Sequence, residues 1–212
     1  MFAKRIANEC NKNRDKKILL IDAPCGNGET AYYLAKKTNA IVKAYDISEG
    51  SISFAKTNYQ VSNLSFYKKD IHGVVEENDS IDVFCIINSL FLLPHPEDLL
   101  VKLRSKLKND GELYIIVPNI SGQNFKRFQI INSSVNSFLL RPEEFNSYFL
   151  KLGYKVLFFK PIAYTSWFAR KDAMLLRSGS GVYLNSISFF KEKLNIGHGN
   201  YFLIKLIKDN QG

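Results

Sequence analysis

Hydrophobic and polar positions along the chain switch repeatedly between two periods. Ile18–Ile21 is an unbroken aliphatic run, the mark of a strand buried on both faces as in a parallel sheet, and from Thr30 the pattern turns helical through Ala35. Ala40–Asp46 reads as a second strand ending in an acid. Ser48 then caps a helix over residues 49–59, with Ile52, Phe54, Ala55 and Tyr59 as its buried face. Leu64–Lys68 reads as the third strand, Ser80–Leu90 as the fourth and Glu112–Asn119 as the fifth. Before the fifth lies an amphipathic helix, Leu99–Leu107, stopped by Asn109-Asp110-Gly111. Arg141-Pro142 opens a helix ending near Gly153, and Tyr154–Phe159 and Asn200–Ile207 read as strands six and seven. Residues 1–15 read as an N-terminal amphipathic helix with Phe2, Ile6 and Cys10 on one face.

Strand followed by helix, five times over, predicts an α/β doubly wound sheet in a single domain covering residues 1–212. In such sheets ligands sit beyond the carboxyl ends of the strands, where Asp22, Asp46, Asp70, Asn88 and Asn119 all fall. The turn after the first strand carries Gly26 and Gly28, which let the backbone turn tightly and a ligand approach the head of the next helix. Gly26-x-Gly28-x-x-Ala31 with Asp46 twenty residues after Gly26 also fits a dinucleotide fingerprint. A dinucleotide, however, would set its pyrophosphate against the loop, next to the Asp22 carboxylate. A cationic ligand reverses the sign: S-adenosylmethionine carries an ammonium, a sulfonium and no phosphate, so Asp22 favours it over NAD.

Asp22-x-x-Cys25-Gly26-x-Gly28 resembles the first motif of the class I S-adenosylmethionine-dependent methyltransferases, a resemblance that covers residues 18 to about 119 and continues by topology alone. It implies a seven-stranded, mostly parallel sheet with strand seven antiparallel between strands five and six, and S-adenosylmethionine as cofactor. Asp46 would accept from the ribose hydroxyls, with Ile47 beside it. Asp70 would accept from the adenine amino group, the Ile71 amide reaching the ring. Asn88 and Ser89 would line the methyl-donor site, and Pro24, Cys25, Gly26 and Gly28 would form the loop against the methionine part. Pro24 stands where the family usually has glycine; it fixes φ and lacks an amide donor, so residue 24 offers no backbone N–H there.

About forty residues, 161–199, separate strands six and seven, and both ends of this insertion are expected at the ligand edge. Its Tyr164, Trp167 and Arg170, together with Asn119, are the candidate substrate contacts of a cap, and His198, at the entrance to strand seven, is the candidate base. A second candidate lid spans Asn124–Leu140. No metal site is read from the chain.

A net charge of +9 raises the question of nucleic acid, but the basic residues are 22 Lys and 7 Arg, scattered as short pairs, whereas bidentate phosphate recognition favours Arg. No Asn-Pro-Pro-aromatic pattern follows strand four, and no cysteine sits where cytosine C5 methylation needs one. The acceptor expected is a small molecule, methylated at oxygen, with RNA or protein methylation and a cofactor-binding protein without transferase activity as alternatives. No run approaches a membrane span, the N-terminus has no signal-peptide core, and three cysteines suit reduced thiols, so a cytoplasmic location is expected.

Overall fold

The structure, a computed structural model, describes residues 2–12, 17–119, 141–162 and 201–209. Its centre is a seven-stranded sheet in the order β3-β2-β1-β4-β5-β7-β6, built from β1 (Leu19–Asp22), β2 (Ile41–Asp46), β3 (Leu64–Lys68), β4 (Ile81–Ile87), β5 (Leu107–Pro118), β6 (Tyr154–Ile162) and β7 (Tyr201–Lys208). β1 to β5 pair in parallel, and β7 lies antiparallel to both β5 and β6. Strand order thus reverses at β1, which puts the crevice for a ligand beyond the C-terminal ends of β1, β2 and β4.

Two hydrophobic cores cover the two faces. On one, α1 (Phe2–Cys10), α2 (Glu29–Lys37) and α3 (Glu49–Asn58) bury Ile6, Leu34 and Ile52 against Leu20, Val83, Tyr114 and Leu203. On the other, α4 (Ile71–Glu77), α5 (Pro96–Lys106) and α6 (Phe145–Lys151) bury Val74, Leu103 and Phe149 against Ile21, Phe84, Leu113 and Ile204. Adjacent strand residues such as Leu20 and Ile21 therefore point into different cores, which is why the strands read as unbroken apolar runs.

Several boundaries differ from the sequence reading for local reasons. The N-terminal helix ends at Cys10, followed by a turn at Asn11 and Lys12. Phe54, expected in the buried face of α3, is 45% exposed; Ile52 and Ala55 carry that face, and Phe54 packs edge-on against Tyr59. α5 starts at Pro96, three residues early, because proline suits the first helical turn and His95 before it adopts φ +47°. β5 begins at Leu107, which pairs with Ile81 before the register shifts and Glu112 resumes opposite Val83. β6 runs on to Ile162, so residues 161 and 162 belong to the sheet rather than to the insertion. The remainder of that insertion and the candidate lid helix over 124–140 lie outside the described residues.

Lys205 stands in the middle of β7 and is 7% exposed. Its Nζ lies 3.2 Å from Glu9 of α1 and 3.1 Å from Glu112 of β5, over the ring of Tyr114, whose hydroxyl donates to Glu112 at 2.7 Å. This buried cation fastens α1 to the sheet. Removing it would leave the Glu112 carboxylate with the Tyr114 hydroxyl and without this cation, and Glu9, among the described residues, with Lys12 alone at 2.6 Å. Lys205→Ala is expected to lose about 2–4 kcal/mol in denaturant unfolding; a loss below about 0.5 kcal/mol would mean that water already compensates these charges.

Candidate active site

The strand C-terminal ends converge as the sequence reading expects. Asp22 and Asp46 end β1 and β2, Asp70 follows β3 by two residues, and Asn88 and Asn119 follow β4 and β5 by one. The loop after β1 is strapped to both neighbouring strands. The Ala23 amide donates to the Cys85 carbonyl of β4 at 3.1 Å, and the Cys25 amide to the Tyr45 carbonyl of β2 at 2.8 Å. The Gly26 amide donates to Asp46 Oδ2 at 2.7 Å, and the Ser48 amide to Asp46 Oδ1 at 2.9 Å. Asp46 is thereby locked in orientation, and each of its oxygens keeps a second lone pair for a ligand hydroxyl. The Gly26 N–H is used to build the site.

The two loop glycines serve different ends. Gly26 has φ +52° and open space where a Cβ would stand, so its surface is available to a ligand. Gly28 has φ +84°, and a Cβ there would lie 2.5 Å from the Phe66 ring and 2.9 Å from Ala55. Its requirement is the close approach of α2 to β3 and α3 rather than ligand access. Pro24 follows Ala23 through a cis peptide bond.

Asp22 is wholly buried, and neither carboxylate oxygen has a hydrogen-bond partner. The Ala31 amide in the first turn of α2 bears on it without reaching hydrogen-bond geometry. Desolvation foremost, and the negative charge of Asp46 next, push the Asp22 carboxyl up to about 8. The same burial, with the two carboxylates beside it, raises the Cys25 thiol, and burial raises that of Cys85, so both stay neutral. An orphaned carboxyl in a protein interior is rare and asks for an explanation. A second orphan, Ser89 Oγ, lies just past β4, held by the short 3-10 turn Leu90–Leu92.

Around these groups, Asn88 is exposed with φ +54° and Ile47 exposes 67% of its surface beside Asp46. Asp70 is exposed and caps α4, its Oδ1 accepting from the His72 amide at 2.9 Å. The Ile71 side chain is in the core, so only its backbone can serve a ligand. Asn119 is buried at the end of β5. Asp82 plays the structural part expected of it, receiving the Leu19 amide and Lys108 Nζ, each at 2.8 Å. Tyr164, Trp167, Arg170 and His198 lie outside the described residues. The groove along the free edge of β3, between Lys56, Tyr59 and Tyr67, gathers none of the strand-end residues.

Sequence reasoning missed the buried Lys205. Lys205 had a signal, a single cation inside the apolar run Tyr201–Ile207, which in a central strand demands a partner.

A doubly wound sheet that gathers Asp22, Asp46 and Asp70 at its strand C-terminal ends, around the point where the strand order reverses, defines a nucleoside- or nucleotide-binding α/β domain. Residues 14–148 match the family model described as Methyltransferase domain, and the chain belongs to that family. It is a class I methyltransferase dependent on S-adenosylmethionine. Among curated proteins it is similar to a ubiquinone biosynthesis O-methyltransferase of Coxiella burnetii, 25% identical over 171 residues, 79% of this chain and 68% of that protein. Among solved structures it resembles a methyltransferase in complex with the Trm112 methyltransferase activator of Haloferax volcanii, with a TM-score of 0.70 at 16% identity over 97% of this chain and 88% of that one. It also resembles the plantazolicin methyltransferase BpumL with S-adenosylhomocysteine bound, with a TM-score of 0.59 at 21% identity over 98% of this chain and 82% of that one. The structural likenesses speak for the fold.

The buried Asp22 makes stability depend on pH in a defined sense. Its carboxyl is raised in the folded protein, so the folded state binds more protons between the unfolded value near 3.8 and the folded value of about 8, and stability falls as pH rises through that window. Asp22→Asn removes this slope. Its melting temperature relative to the parent is expected to climb steadily from pH 4 to pH 8; a difference independent of pH would mean that Asp22 titrates normally. The new amide's own unpaired N–H shifts both ends of that comparison alike, so the slope is the readout.

Proposed function

We propose that the chain transfers the methyl group of S-adenosylmethionine to a hydroxyl of a small organic molecule at the strand C-terminal edge. The observation that carries the cofactor pose is the orphaned carboxyl of Asp22 beside the strapped carboxylate of Asp46. The residues fit the cofactor: an ammonium would satisfy Asp22, while the pyrophosphate of a dinucleotide would meet two acids.

In this reading Asp22 holds the amino group of the methionine part, directly or through water. Asp46 accepts from the ribose hydroxyls, Ile47 offers apolar surface to the purine, and Asp70 Oδ2 and the Ile71 amide address its edge. The loop Pro24–Gly28, with Asn88 and Ser89, lines the methionine part. Bound there, S-adenosylmethionine supplies a methyl group on an excellent leaving group. The protein's own work is therefore to align the acceptor and exclude water. A hydroxyl acceptor also gives up a proton, and His198 is the proposed base, with Asn119, Tyr164, Trp167 and Arg170 on the acceptor side.

One observation favours methylation at oxygen and another an acceptor other than nucleic acid. The Coxiella burnetii relative carries O-methyltransferase in its name. In addition, five surface lysines are already paired with acids: Lys68 with Glu49, Lys69 with Glu77, Lys102 with Glu76, Lys106 with Asp79 and Lys108 with Asp82. Such neutralised cations make a poor track for a phosphate backbone. Among the described residues no helix is long and apolar enough to cross a membrane.

Calorimetric titration is expected to show binding of S-adenosylmethionine and S-adenosylhomocysteine and none of NAD, with Asp46→Ala weakening the sulfur nucleosides at least about tenfold through two lost charge-assisted hydrogen bonds. Incubation with S-adenosylmethionine and a panel of phenols, hydroxy acids and structured RNA should then add one methyl mass to a small hydroxyl compound. NAD binding, or methylation confined to RNA, would contradict the reading.

A further inference from the structure

Resting on that reading of the cofactor, one property of Asp22 goes beyond it. We infer that Asp22 is held as a carboxylic acid in the ligand-free protein and releases its proton when an ammonium is bound against it, so that cofactor uptake is coupled to release of one proton.

The geometry carries this. Both Asp22 oxygens are buried and unpartnered, and the site lies at the meeting of three strands. From β2, Asp46 contributes a negative charge, its carboxylate already engaged by two amides. From β4, Cys85 stands opposite Asp22 in register, and from the loop comes Cys25; burial keeps both thiols neutral. From α2 the Ala31 amide supplies a partial compensation that falls short of a hydrogen bond. No lysine, arginine or histidine among the described residues pairs with Asp22. An ionised carboxylate here would be a buried charge beside another of the same sign, which favours the neutral acid. An arriving ammonium supplies the missing countercharge, and the carboxyl O–H breaks, its proton passing to solvent while no bond of the ligand changes.

Two consequences follow. Affinity for an ammonium-bearing nucleoside rises with pH below the point where Asp22 ionises by itself, by up to about tenfold per pH unit. Asp22 also becomes a specificity-determining residue, because a nucleoside lacking the amino group leaves it protonated and displaces no proton.

The test is calorimetric titration of the full chain with S-adenosylhomocysteine at pH 6.5 in three buffers of different ionisation enthalpy. A slope of apparent enthalpy on buffer enthalpy corresponding to about one released proton is expected for the parent. A slope near zero is expected for 5′-methylthioadenosine, which lacks the amino acid, and for Asp22→Asn with S-adenosylhomocysteine. Should the variant fail to fold or to bind, the parent alone suffices, since its affinity for S-adenosylhomocysteine must rise between pH 5.5 and 7. Binding with no proton released and no such rise would overturn the coupling and leave the cofactor reading standing. No binding of S-adenosylhomocysteine at any pH would overturn both.

Discussion

A carboxyl group without a partner, enclosed at the point where the strand order of the sheet reverses, is the constraint on which the site depends. Asp22 is placed there by β1, whose burial on both faces leaves no solvent for its last residue. The following loop closes over it because its amides are tied to β2, to β4 and to Asp46. Two carboxyls are thus brought together in a region with few compensating donors. The fold tolerates this by leaving one in the charge-averse interior and giving two backbone N–H groups to the other.

The remainder of the architecture keeps that arrangement rigid. Gly28 lets α2 approach β3 and α3 closely enough to touch Phe66, fixing the head of α2 behind the loop. Asp82 ties the start of β4 to β1 by accepting the Leu19 amide. Lys205, held between Glu9 of α1 and Glu112 of β5, fastens α1 to the sheet. β7, inserted antiparallel between β5 and β6, returns the chain so that the connection between Ile162 and Tyr201 starts and ends at the ligand edge.

Much of this was legible from the residues. Unbroken aliphatic runs marked strands buried on both faces, and the acids and amides at their ends marked the ligand edge. The Ser48 cap of α3 is realised as a side chain accepting from the Ser51 amide at 3.2 Å. What escaped the sequence were features that arise from long-range packing. Phe54 turns outward because Ile52 and Ala55 already fill the face that α3 buries. The bulge after Leu107 depends on where Ile81 meets it. Whether Asp22 would find a partner depends on a loop whose Ala23, Cys25, Gly26 and Gly28 amides turn to neighbouring backbone and to Asp46. Spacing named Asp22 as a ligand candidate, and only its surroundings gave it an abnormal proton affinity.

In the proposed function the Asp22 and Asp46 pair is a receptor for the amino acid and ribose ends of one nucleoside. A crystal structure of the protein with S-adenosylhomocysteine tests it most directly. The account predicts the methionine nitrogen bonded to Asp22, directly or through one ordered water, and both ribose hydroxyls on Asp46. A nucleoside bound with its amino group away from Asp22, whose carboxyl stays unpartnered, would contradict it.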